Sequence, residues 1–232
     1  VLFRSYRVHC FSPDADSPLG QVCEREFIHP YSDLAAVREF ARSVDVVTYE
    51  FENVPAETLA AAGEAAPTRP SLHILKTTQH RLLEKGFLAE HGIPVPPFLA
   101  VRSAAELERA VAEVGMPGVL KSARSGYDGK GQWKIASIEQ ARAAFDEAAA
   151  AGYNGEMIYE AFVDFQMELS VVLCRDAQGN SADWGAIENQ HANHILDLSI
   201  APARVPAATA AEAARRSEEH TSELQSRLHL VC

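Results

Sequence analysis

Two lysines, an arginine and three glycines fall within one run, Lys121-Ser122-Ala123-Arg124-Ser125-Gly126-Tyr127-Asp128-Gly129-Lys130-Gly131-Gln132. Glycines let backbone N–H groups approach a ligand closely, and the basic side chains add positive charge, a combination suited to a polyphosphate. The spacing is not that of a P-loop, which needs Gly-Lys-Ser/Thr opening a helix, nor the G-x-G-x-x-G dinucleotide fingerprint. By spacing alone the run reads equally well as a phosphate-binding loop and as an ordinary flexible hairpin.

Other segments carry groups that could join such chemistry. Glu50-Phe51-Glu52-Asn53-Val54-Pro55 follows a short β-type run, and open α/β sheets place ligands at the carboxyl ends of strands. Glu188-Asn189-Gln190-His191 likewise extends a β-type run. Taken alone, Arg81 reads as an exposed helical arginine, Glu168 as a surface residue on an alternating strand, and His191 as a structural histidine.

The elements that must position these groups follow from periodicity. Tyr6 to Phe11 and Val44 to Tyr49 read as strands separated by the helical pattern Leu34, Val37, Phe40, Ala41, which predicts a βαβ unit of a parallel sheet. Helices are expected from about 56 to 65 and from about 79 to 90, the second stopped by Gly92 and Pro94. Pro94, Pro96 and Pro97 mark a lobe boundary. Ser103 with Glu106, and Ser137 with Gln140, form two capping boxes, each opening a helix. Between them Gly118–Ser122 and Gln132–Ala136 read as strands joined by the glycine-rich loop. Met157–Val163, Met167–Arg175 and Ser181–Ile187 read as further strands, with a turn at Asp176 to Gly179.

Composition limits the partners. The chain of 232 residues is 47% hydrophobic, enough for a large core, and its formal charge of −11 shows no basic stripe for nucleic acid or an anionic membrane. Cys10, Cys23, Cys174 and Cys232 stand far apart, without disulfide-framework or zinc spacing, which fits a reducing cytoplasm. No run of about eighteen apolar residues occurs, and no signal-peptide pattern opens the chain, so an uncleaved product is expected.

The wording Ser125-Gly126-Tyr127-Asp128-Gly129-Lys130-Gly131-Gln132-Trp133 resembles the lid loop of the 5-(carboxyamino)imidazole ribonucleotide synthase family, within the ATP-grasp superfamily. Biotin carboxylases and related ligases have other residues where Tyr127 and Asp128 stand. The resemblance runs from about Tyr6 to Val205. It includes Tyr49-Glu50-Phe51-Glu52-Asn53-Val54, the helix start Gln79-His80-Arg81-Leu82-Leu83-Glu84-Lys85, and Glu188 to His191 followed by Ala201-Pro202-Ala203-Arg204. His80 stands where the family usually has Asp.

The resemblance implies an α/β chain with an ATP-grasp fold preceded by a Rossmann-like parallel-sheet lobe, truncated at both ends. It implies an ATP site in which Arg81 reaches the nucleotide, Lys121 holds the phosphates, and Gly126, Tyr127, Asp128, Gly129, Lys130, Gly131 and Gln132 close over them. Glu160, Ala161, Phe162 and Val163 would meet the adenine edge, Glu168 the ribose hydroxyls, and His191 the nucleotide. Lys121, Tyr127, Asp128 and Lys130 are the expected catalytic groups, with Tyr127 and Asp128 touching the aminoimidazole; no general base is assigned. The implied reaction is ATP-dependent carboxylation of 5-aminoimidazole ribonucleotide by bicarbonate, in purine biosynthesis, by a cytoplasmic homodimer.

The same comparison sets expectations for the ends. Val1 to Ser5 stands where the family has a strand and a phosphate-binding G-x-G-Q-L-G turn. Residues 216–232 show no resemblance and read as foreign, adaptor-like sequence. Expected lobes are then 1–75, Rossmann-like; 76–160, linker helix and lid; 161–215, the first part of the core; and 216–232, the tail. No metal ligand is expected in this chain, since the acidic magnesium motif would follow residue 215, and the chain as written is expected to lack activity. Another ATP-grasp ligase and an inert nucleotide-binding fragment are the alternatives.

Overall fold

The computed structural model describes residues 6–124, 130–153, 155–176 and 178–223, the last four of these by backbone alone. The chain divides between Lys76 and Thr77 into two compact units.

In the first unit, β1 (His9–Ser12) and β2 (Arg25–Ile28) pair in parallel, with Phe11 opposite Phe27. Helices α1 (Leu34–Arg42) and α2 (Ala56–Gly63) follow. Asp33 caps α1 by accepting from the Ala36 N–H. The core gathers Val37 and Ala41 from α1, Ala61 and Ala62 from α2, and Val47 and Ala66, with Phe11 and Phe40 packed alongside.

Two expectations for this unit are corrected. Val44 to Tyr49 is not a strand: Val47 alone bridges Thr68, in parallel, through Val47 N–H to Pro67 O and Arg69 N–H to Val47 O. The parallel partner of β1 is β2, whose sequence Arg-Glu-Phe-Ile buries only Phe27, so it offers no apolar run to read. The expected βαβ unit through α1 is therefore replaced by a parallel pair formed ahead of α1.

Helix α3 (Leu72–Thr78) leads into the second unit, where α4 (Arg81–Glu90) begins. Gly92, at φ +72°, ends α4 as expected, donating to Ala89 O, while the Ile93 N–H reaches Leu88 O. A four-stranded sheet has the order β3-β6-β4-β5, from β3 (Phe98–Val101), β4 (Gly118–Ser122), β5 (Gln132–Ile135) and β6 (Met157–Ala161), every pair antiparallel. Helices α5 (Ala104–Val114) and α6 (Ile138–Ala150) start at the two capping boxes: Ser103 accepts from the Glu106 N–H, and Ser137 from the Gln140 N–H. Leu107, Ala110, Ala141, Ala144 and Ala148 pack these helices onto Leu120, Ile135, Met157 and Tyr159 of the sheet.

A three-stranded antiparallel sheet follows: β7 (Glu168–Arg175), β8 (Ser181–Ala192) and β9 (Ile195–Ile200). Asp176 organises the β7–β8 turn by accepting from the Gln178 and Asn180 N–H groups. Strand β8 runs five residues beyond its expected end at Ile187, so Glu188 to His191 lie on a strand and not after one. The Ala-rich helix α7 (Ala207–Glu223) packs on β7 and β8 and passes through residue 215 without a break.

Candidate functional site

Strand β4 ends at Lys121 and Ser122, and α4 presents its first turn to that end. The Arg81 N–H donates to Ala123 O at 2.9 Å, and its Nη1 donates to Ser122 O at 2.7 Å. Lys85 stands four residues further along, on the same face of α4. Its Nζ lies 3.1 Å from Glu160 Oε2, and Lys121 Nζ lies 3.3 Å from the same oxygen. The Glu160 side chain is only 4% exposed, against 18% for Lys85 and 26% for Lys121. Its other oxygen, Oε1, is buried and has no hydrogen-bond partner among the described residues. A buried carboxylate requires compensation; two ammonium groups on one oxygen give the cluster a net positive charge, which favours an anionic ligand. Lys85 was not among the sequence-predicted site residues. Its signal was there, as a basic group one helical turn from Arg81.

The hairpin that follows starts in an ordered way. The Ser122 N–H donates to Gly131 O at 2.8 Å, and Gly131 has φ +68°. A Cβ at Gly131 would lie 2.8 Å from Ser122 Oγ and 3.1 Å from the Tyr153 ring, so the position excludes a side chain on both grounds. Of the expected lid residues Lys130, Gly131 and Gln132 are described; Gly126, Tyr127, Asp128 and Gly129 lie outside the described residues.

Glu160 and Ala161 close β6, two residues short of the expected end at Val163, and Phe162 and Val163 follow outside the strand. The Ala161 N–H donates to Pro97 O and the Phe162 N–H to Pro117 O, so both donors are used within the protein. The Phe162 ring lies 5.3 Å from Lys134 Nζ. Tyr159, on the opposite face from Glu160, is fully buried and donates its hydroxyl to Gly115 O.

A cleft of about 420 Å³ is lined by Gln132 from the hairpin, Phe165, Glu168 from β7, His191 from β8, and Asn193 and His194. Three expected site residues from separate segments thus meet on one cleft. Glu168 Oε2 lies 3.4 Å from His191 Nδ1, and Gln132 Nε2 lies 3.3 Å from His194 Nδ1. Asn193 and His194 form the two-residue β8–β9 turn, with φ +52° and +66°. This is the turn type that matches strand twist, and Asn suits its positive φ. Sequence reasoning missed Asn193 and His194 because no Asn-Gly or Asp-Gly pair announced the turn, and Phe165, between β6 and β7, belongs to no motif.

Three residues before His191 on β8, Glu188 is 3% exposed and accepts from Arg204 Nε at 2.9 Å and from Gln190 Nε2 at 2.9 Å. The Arg204 hydrogen bonds, then that of Gln190, hold the Glu188 carboxyl down at about 2. The two resembling stretches, Glu188 to His191 and Ala201 to Arg204, are therefore one ion-paired unit.

His80, at the family's usual Asp position, makes no side-chain cap to α4. Its Nε2 contacts Glu156 Oε2 at 3.1 Å, and Glu156 also pairs with Arg102. Burial, then the Arg124 charge, lowers the His80 pKa. In the first unit, burial pushes the Tyr49 phenol up to about 12. Among the described residues no group of three or more His, Cys, Asp or Glu side chains could hold a metal ion, and no helix is long and apolar enough to cross a membrane.

Residues 86–227 match the ATP-grasp domain, and residues 3–79 match the ribonucleotide synthetase preATP-grasp domain. The chain is 40% identical over 200 residues to the N5-carboxyaminoimidazole ribonucleotide synthase of Bacillus subtilis, covering 86% of this chain and 52% of that protein. It is 40% identical over 214 residues to the enzyme of the same name from Brucella melitensis, covering 92% and 58%. A crystal structure of an N5-carboxyaminoimidazole ribonucleotide synthetase with ADP superposes with a TM-score of 0.87 at 35% identity, over 95% of this chain and 58% of that one. The chain thus spans just over half the length of these two curated relatives. With a preATP-grasp domain ahead of two antiparallel sheets, and the family match extending over most of its length, this chain belongs to the ATP-grasp family.

Proposed function

We propose that the protein binds ATP and serves the ATP-dependent carboxylation of 5-aminoimidazole ribonucleotide. The observation that carries this reading is the cleft where Gln132, Glu168 and His191 converge from three separate segments. Glu168, as a carboxylate on the cleft wall, accepts from ribose hydroxyls; His191, beside it, orients that carboxylate and lines the sugar. Glu160 Oε1, buried and without a donor among the described residues, suits the amino edge of adenine. Lys121 and Arg81, at the end of β4, supply positive charge for the phosphates, and Lys130 joins them from the glycine loop.

In the reaction a bicarbonate oxygen attacks the γ-phosphorus of ATP, releasing ADP and forming carboxyphosphate. The exocyclic amine of 5-aminoimidazole ribonucleotide then attacks the carboxyl carbon, and phosphate leaves. The protein's share is positioning and neutralisation of the charge that develops on the transferred phosphoryl group. Tyr127 and Asp128 are our candidates for contacting the aminoimidazole. The described residues do not fit a magnesium site, so no step here depends on one of their side chains holding the metal. The homodimeric assembly, the cytoplasmic setting and the lobe boundaries at 75, 160 and 215 belong to the same proposal, as does the inactivity of this chain without the remainder of its relatives' length.

Isothermal titration of the 232-residue chain with ATP and with GTP tests the nucleotide site. Saturable ATP binding that Glu168→Gln weakens supports it; equal binding of ATP and GTP, or none, contradicts it.

A further inference from the structure

Glu160 sits on the inner strand β6, directly opposite Val119 on β4, while Lys121 stands opposite Ile158. Lys121 therefore reaches Glu160 diagonally, two residues back along its own strand. Lys85 is placed differently. It comes from α4, whose first turn is fastened to β4 by the two Arg81 hydrogen bonds, and it makes the shorter and less exposed of the two contacts with Glu160 Oε2.

We propose that Lys85 is the standing counter-ion of Glu160, a positioning residue that lets the Lys121 ammonium leave the carboxylate for the phosphates of a bound nucleotide. The Glu160 side chain is itself only 4% exposed, and Ile158, on the same face of β6, is fully buried, so a lysine that leaves is not replaced by bulk water. With Lys85 present, departure of Lys121 leaves a neutral buried ion pair. Without it, the same departure leaves a buried carboxylate alone, and nucleotide binding must bear that cost. The shared oxygen is what makes the arrangement work: both ammonium groups crowd Oε2, each weakening the other's hold, so the more exposed and less fixed one is the one released. The proposal rests on the ATP-binding reading above for its ligand, but not for the charge triad itself.

The experiment uses the 232-residue chain with two readouts. One is the rate at which N-hydroxysuccinimidyl acetate acylates Lys121, followed by peptide mass spectrometry without nucleotide. The other is the ATP dissociation constant. Lys85→Met concentrates the carboxylate's charge on Lys121, so Lys121 acylation slows and ATP binding weakens by about tenfold, equivalent to roughly 1.4 kcal/mol. Lys85→Arg keeps both near the parent values. Glu160→Gln, alone or added to Lys85→Met, speeds Lys121 acylation, because a neutral amide does not retain an ammonium; this arm stands even if Lys85→Met fails to fold. Unchanged acylation of Lys121 in both Lys85→Met and Glu160→Gln overturns the assignment. If the parent chain binds no ATP, the nucleotide reading fails and with it the release of Lys121, while the acylation rates still decide whether Lys85 shares the Glu160 carboxylate with Lys121.

Discussion

The Arg204 guanidinium closes on the Glu188 carboxylate, with Nε 2.9 Å from Oε2 and Nη2 on Oε1, and so ties the segment after β9 to the middle of β8. The folded pKa of Glu188, about 2, lies below its ordinary 4.5. A depressed carboxylate stabilises the fold at pH values above its unfolded pKa, and that contribution disappears as pH falls through the folded value. Thermal melts across pH should therefore show stability declining between 4.5 and about 2. Arg204→Met should lower the melting temperature at neutral pH, because it strands a buried carboxylate, and the gap to the parent should narrow in acid. Equal loss at every pH would contradict the pairing.

Gly131→Ala places a methyl group against Ser122 Oγ and Tyr153 at a left-handed backbone position. Its cost should be roughly 1–2 kcal/mol in urea unfolding, from backbone strain alone. The same variant should weaken ATP binding, since Gly131 joins β5 to the glycine loop. Parent-like stability would show that the hairpin end is not held as described.

Ser137→Ala and Ser103→Ala each remove a side-chain acceptor at the start of a helix that covers the four-stranded sheet. Each should cost about 1 kcal/mol in denaturant unfolding. The losses should add, because the two caps have no partner in common. A double variant no less stable than either single would refute the capping geometry.

Glu168→Gln removes the charge of a half-exposed carboxylate on the cleft wall. Its melting temperature should stay near that of the parent, whereas the ATP dissociation constant should rise by about tenfold, the effect of losing a charge-assisted bond of roughly 1.5 kcal/mol. Calorimetric titration and a thermal melt on the same sample separate the two. A fall in stability without a fall in affinity would make Glu168 a structural residue.

Much of this was legible in the residues, and the failures have physical reasons. The capping boxes at Ser103 and Ser137 and the stop at Gly92 are local chemistry, decided within a few residues, and each appears where the pattern placed it. Strand β2 was hidden because its four residues bury a single side chain. Val44 to Tyr49 looked like a strand by its β-branched content, yet only Val47 finds a partner, because pairing is decided by tertiary context and not by propensity. Strand β9 went unread because Asn193-His194 is an uncommon turn pair, and with it went two residues of the cleft. Helix α7 lies outside the expected elements, although its alanines favour helix. Arg81, Glu168 and His191 were each ordinary by their own surroundings. Only the resemblance singled them out, and Lys85, which it did not single out, shares a helix face with Arg81 and an acceptor with Lys121.

The most direct test is ADP formation from ATP with and without 5-aminoimidazole ribonucleotide and bicarbonate, measured in parallel on the 232-residue chain and on the intact gene product recovered from its source. ADP release by the intact product is expected to rise only when both substrates are present, with none above background from the 232-residue chain. ADP release indifferent to the ribonucleotide would contradict the assigned reaction and point to another ATP-grasp ligase, and substrate-stimulated turnover by the 232-residue chain would contradict its proposed inactivity.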